Sequence, residues 1–349
     1  MDADELAAWL RLIETPGIGR AAARRLLAAH GSPQGAARHL PEPSEALASR
    51  VEATLSWRSG AAARHVIALG DATYPHALLE SPDPPLLLYA IGRLELLHAP
   101  ALAIVGSRHA SVQGRQNASA FAAHLGGAGF TIVSGLALGI DGAAHEGALG
   151  STGSTIAVVA TGLDQVYPRR HLALAGRIAA EGLLLSEHPL GTPPLRENFP
   201  QRNRIIAGLT RGTLVVEATL QSGSLITARL AVEAGREVFA IPGSIHSPQS
   251  KGCHALIKQG AKLVETAQDV LEELGVTAAP GPASGGAEPA PQRPDPLLDA
   301  MGHDPIVLDE LIARTGWSAA ELAAKLLDLE LAGRIERLPG QRFQRIARA

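Results

Sequence analysis

Between residues 101 and 265 one pattern recurs: a short, almost uninterrupted apolar run, then a stretch of helical character. The runs read "ALAIVGSR", "FTIVSG", "STIAVVATG", "LLLSEHP", "GTLVVEA", "EVFAIPG" and "AKLVE". A strand with one wet face alternates apolar and polar residues, whereas a strand covered on both faces is apolar throughout. The region from about 85 to 275 is therefore expected to be α/β. Its sheet should be extended, Rossmann-like, doubly wound and mostly parallel, with helices on both faces.

The flanks follow other rules. Residues 1–60 show helical segments and no strand signal. Within them "LIETPGIGRAAARRLLAAHG" reads as a helix-hairpin-helix (or SAM-like) module. Its turn, Pro16-Gly17-Ile18-Gly19, exposes backbone amides at a helix N-terminus with Arg20, Arg24 and Arg25 behind it. Such a hairpin can hold a phosphate, yet the first 60 residues balance seven acidic against seven basic side chains, which suits a packing adapter equally well. Residues 277–296, rich in Pro, Ala and Gly without periodicity, read as a disordered linker. Beyond it come a helix, a turn at Thr315-Gly316-Trp317, a Ser318-capped helix and a hairpin turning at Leu338-Pro339-Gly340, the order of a winged helix. The expected domains are 1–65, 66–276 and 297–349, with the linker between the last two. Residues 295–349 carry nine acidic and seven basic side chains, and Lys325 is the one cation of the second helix. This favours a protein-contact or structural role there over groove binding.

Charge narrows the function. The 349 residues sum to −3, so there is no global attraction to nucleic acid and any anion site must be local. Residues 196–258 supply one, with eight basic side chains against four acidic. The single cysteine, Cys253, excludes an intrachain disulfide and a cysteine-based zinc cluster. The start "MDADELAAWL" has no signal-peptide pattern, and no apolar run approaches the roughly 18 residues of a membrane span, so a soluble, cytoplasmic protein is expected.

Ligands of open parallel sheets bind outside the carboxyl ends of the strands. The residues there are Gly106-Ser107-Arg108, Ser134-Gly135, Thr161-Gly162, Ser186-Glu187, the loop Thr219 to Ser224, and Pro242-Gly243. Small residues and hydroxyls opening helices present N–H groups suited to phosphate. The first strand leads into "GSRHASVQG" and not G-x-G-x-x-G, and no P-loop or lysine precedes residue 251, which removes nicotinamide and triphosphate readings. In "FPQRNRIIAGL", residues 199–209, Arg202 and Arg204 flank Asn203. One is expected to face phosphate and the other to brace the fold, with Glu187 or Glu217 as partner. Phe199 either stacks a base or anchors its loop. Asp141 and His145 share a helical face, but Asp141 suits a cap or an arginine partner better than a base. No nucleophile–base–orienter set and no metal-ligand spacing appears, so the site is expected to hold its ligand without changing it, unaided by metal or cofactor.

Taken together, "IVGSR" (104–108), "SGLALGID" (134–141), "FPQRNRIIAGL" (199–209), "VVEATLQSGSLITA" (215–228) and "IPG" (241–243) resemble the DNA-processing protein A (DprA/Smf) family. In one departure, "GCHALIKQGA" places His254 where the family commonly has asparagine. The resemblance implies a non-enzymatic, cytoplasmic, sequence-independent binder of single-stranded DNA in natural transformation. Such a protein protects incoming strands and loads the RecA recombinase onto DNA covered by single-strand-binding protein. It implies DNA contacts from Arg108, Arg202, Arg204 and Lys251, joined by Asn203, Phe199 and Ser107. The turns Ser134-Gly135 and Ser222-Gly223-Ser224 would add contacts to phosphate. It also implies a homodimer through about 254–275. The rival reading is a Rossmann-like enzyme of the phosphoribohydrolase type. Against it, "QSGSLITA" lacks the Pro-Gly-Gly-x-Gly-Thr turn and its catalytic glutamate.

Overall fold

The computed structural model describes residues 1–276, 295–302, 305–338 and 340–345. Residues 1–276 form one compact unit and the remainder a second. Most of the expected linker, 277–294, lies outside the described residues. Its last two positions differ from expectation: Asp295 caps a helix that Pro296 opens, an arrangement that suits proline's missing N–H.

The first unit begins with four helices: α1 (Ala3–Glu14), α2 (Arg20–His30), α3 (Pro33–Ala37) and α4 (Glu45–Ser59). Asp2 caps α1, accepting from Glu5 N–H at 2.8 Å. The chain then runs through β1 (Arg64–Ala68), α5 (His76–Leu79), β2 (Leu87–Gly92), β3 (Ala101–Val105), α6 (Val112–Gly127), β4 (Thr131–Ser134), α7 (Ile140–Ala148) and β5 (Thr155–Val158). It continues with α8 (Leu172–Glu181), β6 (Leu183–Ser186), α9 (Asn198–Leu209), β7 (Gly212–Val215), α10 (Ser224–Glu233), β8 (Glu237–Ala240), α11 (Lys251–Lys258), β9 (Lys262–Leu263) and α12 (Ala267–Glu273).

All seven expected strands are present, as β3 to β9. The sheet has nine, in the order β1-β2-β6-β5-β4-β3-β7-β8-β9. The two additional strands, β1 and β2, pair antiparallel with each other and onto β6, and every pairing from β6 to β9 is parallel. Leu6, Trp9, Leu10 and Leu12 of α1 share a core with Val66 and Ala68 of β1, Tyr89 of β2 and Ala157 of β5. Residue 65 thus marks a change of element type, not a gap in packing.

The chain turns from β3 to β4 on one side and, much later, lays β7 on the other side of β3. That reversal opens a crevice between the ends of β3 and β7. A side-chain lock fixes its width. Glu217, just after β7, accepts from Ser111 N–H at 2.9 Å and from Ser111 Oγ at 2.5 Å, while Ser111 caps α6 by accepting from Gly114 N–H at 2.9 Å. The carboxylate lies so close to Gly114 that a Cβ there would strike it.

In the second unit, α13 (Pro296–Met301), β10 (Ile306–Val307), α14 (Leu308–Thr315), α15 (Ala319–Leu331), β11 (Ile335–Leu338) and β12 (Arg342–Arg345) pack around Leu298, Leu311, Leu322, Leu326 and Phe343. The strands pair antiparallel in the order β10-β12-β11, the winged-helix arrangement. Ser318 and Glu321 form a reciprocal cap on α15. Lys325 lies 5.6 Å from the Trp317 ring centroid, so that cation already has a partner.

The lock at Glu217 sets an expectation. Glu217→Ala leaves Ser111 N–H and its hydroxyl without their charged acceptor, and should cost about 2–3 kcal/mol of the first unit's stability by chemical denaturation.

Candidate nucleic-acid interface

A cleft of about 810 Å³ opens at the switch point. Its walls come from the loop after β3 (Gly106, Ser107, Arg108, His109), the segment before α9 with its first turn (Arg196, Phe199, Pro200, Arg202, Asn203) and the loop after β7 (Thr219, Ser222, Gly223, Ser224). Three guanidinium groups, of Arg108, Arg196 and Arg202, face one carboxylate, Asp141. Ser222 and Ser224 share a 2.7 Å hydroxyl contact at the start of α10, whose first N–H groups bond within the turn, Leu225 N–H to the Ser222 carbonyl and Ile226 N–H to the Gly223 carbonyl at 3.1 Å each.

Arg202 forms the floor. Its side chain is buried, 4% exposed, and donates to the Val158 carbonyl at the end of β5. Burial pushes its pKa down to about 10, opposed by the charge of Asp141. Asp141, the first-turn acid of α7, accepts from Gly135 N–H at 3.1 Å and Ala137 N–H at 3.4 Å. Burial raises its carboxyl above the usual range, against the pull of Arg202. The geometry requires glycine at 135, because a Cβ there would lie 2.5 Å from Arg202 Cζ. Gly139 is constrained twice: its φ is +80°, and a Cβ would strike the Ser107 carbonyl. Beneath them His145 is fully buried, with Nε2 accepting from Leu136 N–H at 3.2 Å and Nδ1 at 2.7 Å from Thr155 Oγ1. Burial holds this ring neutral, with its pKa pushed down to about 3. Asp141 and His145 are thus spent on architecture.

Arg204 turns away from the cleft. Its guanidinium pairs with Glu187, as the expectation of one bracing arginine allowed, and with Asp83 at 3.2 Å. Residues i and i+2 of a helix project about 200° apart, so Arg202 and Arg204 cannot share a face. Three further candidates stand outside the cleft lining. Ser134 is fully buried, donating to the Ile104 carbonyl at 2.6 Å, and Gly135 N–H is taken by Asp141; neither lines the cleft. Lys251 donates to the Ile245 carbonyl and also stands outside the lining. His254, at the departure from the family pattern, contacts the Gly243 carbonyl at 3.0 Å.

Phe199 is inside the cleft, with Arg108 Cζ 5.2 Å from its ring centroid and Tyr167 edge-on at 5.8 Å. Tyr167, His109, Arg196 and Gln249 line the cleft and were missed as site residues. Tyr167 follows β5, so reading further past Thr161-Gly162 reaches it. Arg196 lies three residues before Phe199, in the loop that leads into α9. Among the described residues, no group of three or more His, Cys, Asp or Glu side chains is placed to hold a metal ion. No described helix is long and apolar enough to cross a membrane.

A Rossmann-like core with a basic, aromatic-lined cleft at its switch point, an N-terminal helical hairpin and a C-terminal winged helix defines a narrow class of proteins. The chain belongs to the DNA recombination-mediator protein A family, whose model matches residues 65–275. The DprA-like N-terminal HHH domain matches 3–59, and the DprA winged helix domain 279–341. Protein Smf of Escherichia coli (strain K12) is 45% identical over 307 residues, covering 86% of this chain and 82% of that protein. A solved structure of DNA processing protein A from Streptococcus pneumoniae is similar with a TM-score of 0.67 and 40% identity, over 78% of this chain and 98% of that one. Another, of DNA processing protein A from Helicobacter pylori, described for its single-stranded DNA binding mode, gives a TM-score of 0.54 and 33% identity over 60% and 95%.

The Arg202–Asp141 couple predicts a pH signature. Arg202→Met leaves a buried carboxylate uncompensated and should cost about 3–5 kcal/mol at neutral pH. Without Arg202 the native pKa of Asp141 rises further, so the native state binds the extra proton. The deficit against wild type should therefore narrow as pH falls from that raised pKa toward the lower native pKa of wild-type Asp141, and level off on either side of the window. Denaturation midpoints of both proteins across the acid range measure it.

Proposed function

We propose that this protein binds single-stranded DNA irrespective of sequence. On this reading it is a non-catalytic, cytoplasmic recombination mediator that protects incoming strands during natural transformation and loads RecA onto DNA covered by single-strand-binding protein. The observation that carries the reading is the cleft itself: exposed guanidinium groups beside aromatic rings, next to the paired hydroxyls of Ser222 and Ser224. Backbone phosphates meet the first and third, and any base has a π-face for the second. Family membership and the likeness to the Helicobacter pylori protein support the same ligand.

Within the cleft, Arg108, Arg196, Ser107, Asn203 and the Ser222-Gly223-Ser224 turn would contact phosphate, and Phe199 and Tyr167 a base. Arg202 would act from the floor, and Arg204 through the fold. Lys251 would reach DNA only by leaving the Ile245 carbonyl. Glu217, whose carboxylate is engaged by Ser111, supports the non-enzymatic reading over the phosphoribohydrolase one. Pairing of two copies through 254–275 is supported by the edge position of β9, where Leu263 is 43% exposed.

Binding of single- and double-stranded oligonucleotides across a salt series tests the reading. Wild type should prefer single strands and lose affinity steeply with salt. Arg108→Ala and Arg196→Ala should each weaken all sequences alike and lower the log–log salt slope by about 1. Salt-insensitive binding, or normal binding by both variants, would sink the proposal. The mediator step is checked by RecA filament assembly on strands coated with single-strand-binding protein, which the wild-type protein should accelerate and Arg108→Ala should not.

A further inference from the structure

A second cavity, of about 730 Å³, lies between the N-terminal hairpin and the sheet edge. Ile18, Gly19, Arg20 and Arg24 form one wall, and Glu187, His188 and Gln201 line it as well. The volume suits a nucleotide. The two walls ask for different things. On the hairpin side α2, eleven residues long, starts at Gly19 with no side-chain cap, leaving first-turn N–H groups to meet an anion. Arg20 and Arg24 stand beside it, 35% and 23% exposed, sharing Asp83 at 2.9 and 2.6 Å. With Arg204, three guanidinium groups oppose two carboxylates, Asp83 and Glu187.

On the sheet side Glu187, 8% exposed, gives Oε2 to Arg204 but keeps Oε1 buried with no hydrogen-bond partner. Nε2 of His188 is likewise buried and unpartnered. A phosphodiester only accepts hydrogen bonds and cannot satisfy a carboxylate oxygen. A nucleobase with an amino group on its pairing edge can. Donors on one wall and an orphan acceptor on the other thus fit a phosphate joined to a base. The cavity also lies beside the first cleft: Gln201 lines it and receives Arg20 Nη1 at 3.1 Å, while its neighbours Pro200 and Arg202 line the cleft.

We propose that this cavity is a second nucleotide subsite for the same DNA strand. The strand leaves the cleft across the first turn of α9, sets a phosphate on the α2 N-terminus with Arg20 and Arg24, and turns a base amino group toward Glu187. The inference rests on the single-strand reading above, and its test separates the two.

Gly19 is the residue to change. Its φ is −79°, and a Cβ there meets no heavy atom within 4 Å, so a side chain is accommodated. Gly19→Asp caps α2 and sets a negative charge on the phosphate position, whereas Gly19→Ala adds a side chain and leaves the first-turn N–H groups free. Binding of oligo-dC of about 4 and about 16 nucleotides to the full-length chain is measured over a salt series. Wild type should bind the longer strand at least tenfold tighter. Gly19→Asp should lose that gain and lower the salt slope by about 1, with short-strand affinity unchanged and its unfolding temperature not reduced. Gly19→Ala should keep the gain. Wild-type long-strand affinity in Gly19→Asp overturns the proposal and leaves the cleft untouched, as does an equal loss in Gly19→Ala, since the loss of the anion site is then not the cause. Failure of wild type to bind either oligonucleotide overturns both readings.

Discussion

A buried guanidinium organises the centre of this protein. Arg202 ties three elements together: α9, which carries it, the end of β5, whose Val158 carbonyl it binds, and the β4–α7 turn, whose Asp141 offsets its charge. Taking an arginine out of water is costly unless it is bonded and paired, so its neighbours have little freedom. Gly135 must lack a side chain, Asp141 must be acidic and must face inward, and the first turn of α9 must stand over the end of the parallel sheet. The cleft is the space left when these demands are met.

The charges of α9 divide by geometry. Arg202 and Arg204 project from opposite sides of the helix, one into the sheet end and one toward Asp83 and Glu187. Both are braces, and bracing both sides is what lets a helix opened by a loop hold Phe199, Pro200 and Asn203 at a fixed height above the crevice. The cations left with their heads toward solvent, Arg108 and Arg196, are carried on loops. A chain of net charge −3 thus presents a positive cleft without a positive surface.

The sheet was largely legible because parallel strands advertise themselves: seven uninterrupted apolar runs became β3 to β9. The strands that escaped, β1 and β2, are the antiparallel edge. In β1 Arg64 and His65 precede a short apolar tail, and the pattern that marks a doubly covered strand is lost, whereas β2, with its run LLYAIG, keeps that pattern and was legible on the same rule. Site segments were legible for a related reason, since glycine and hydroxyl residues at strand ends mark the open edge of such a sheet. Position along the chain does not give direction, however. Ser134 and Gly135 occupy a strand end as surely as Ser107 does, yet one side chain bonds the Ile104 carbonyl and the other position is closed by Arg202. Side-chain direction decides between them, and direction is a property of the assembled layers.

Shared packing gives the N-terminal helices a larger part than their balanced charge suggests. Leu6, Leu10 and Leu12 sit in one core with β1, β2 and β5, so α1 is held by apolar contact. The hairpin that follows adds ions to the apolar contacts of Ala23, Leu26 and Leu27: Arg20 and Arg24 on Asp83, with Arg204 joining the same carboxylate. An apolar anchor fixes position whatever the salt, while a half-exposed ion cluster can exchange one anionic partner for another at small cost. The hairpin therefore combines a fixed root with an exchangeable edge, and that edge touches Gln201, next to the residue on which the cleft is built.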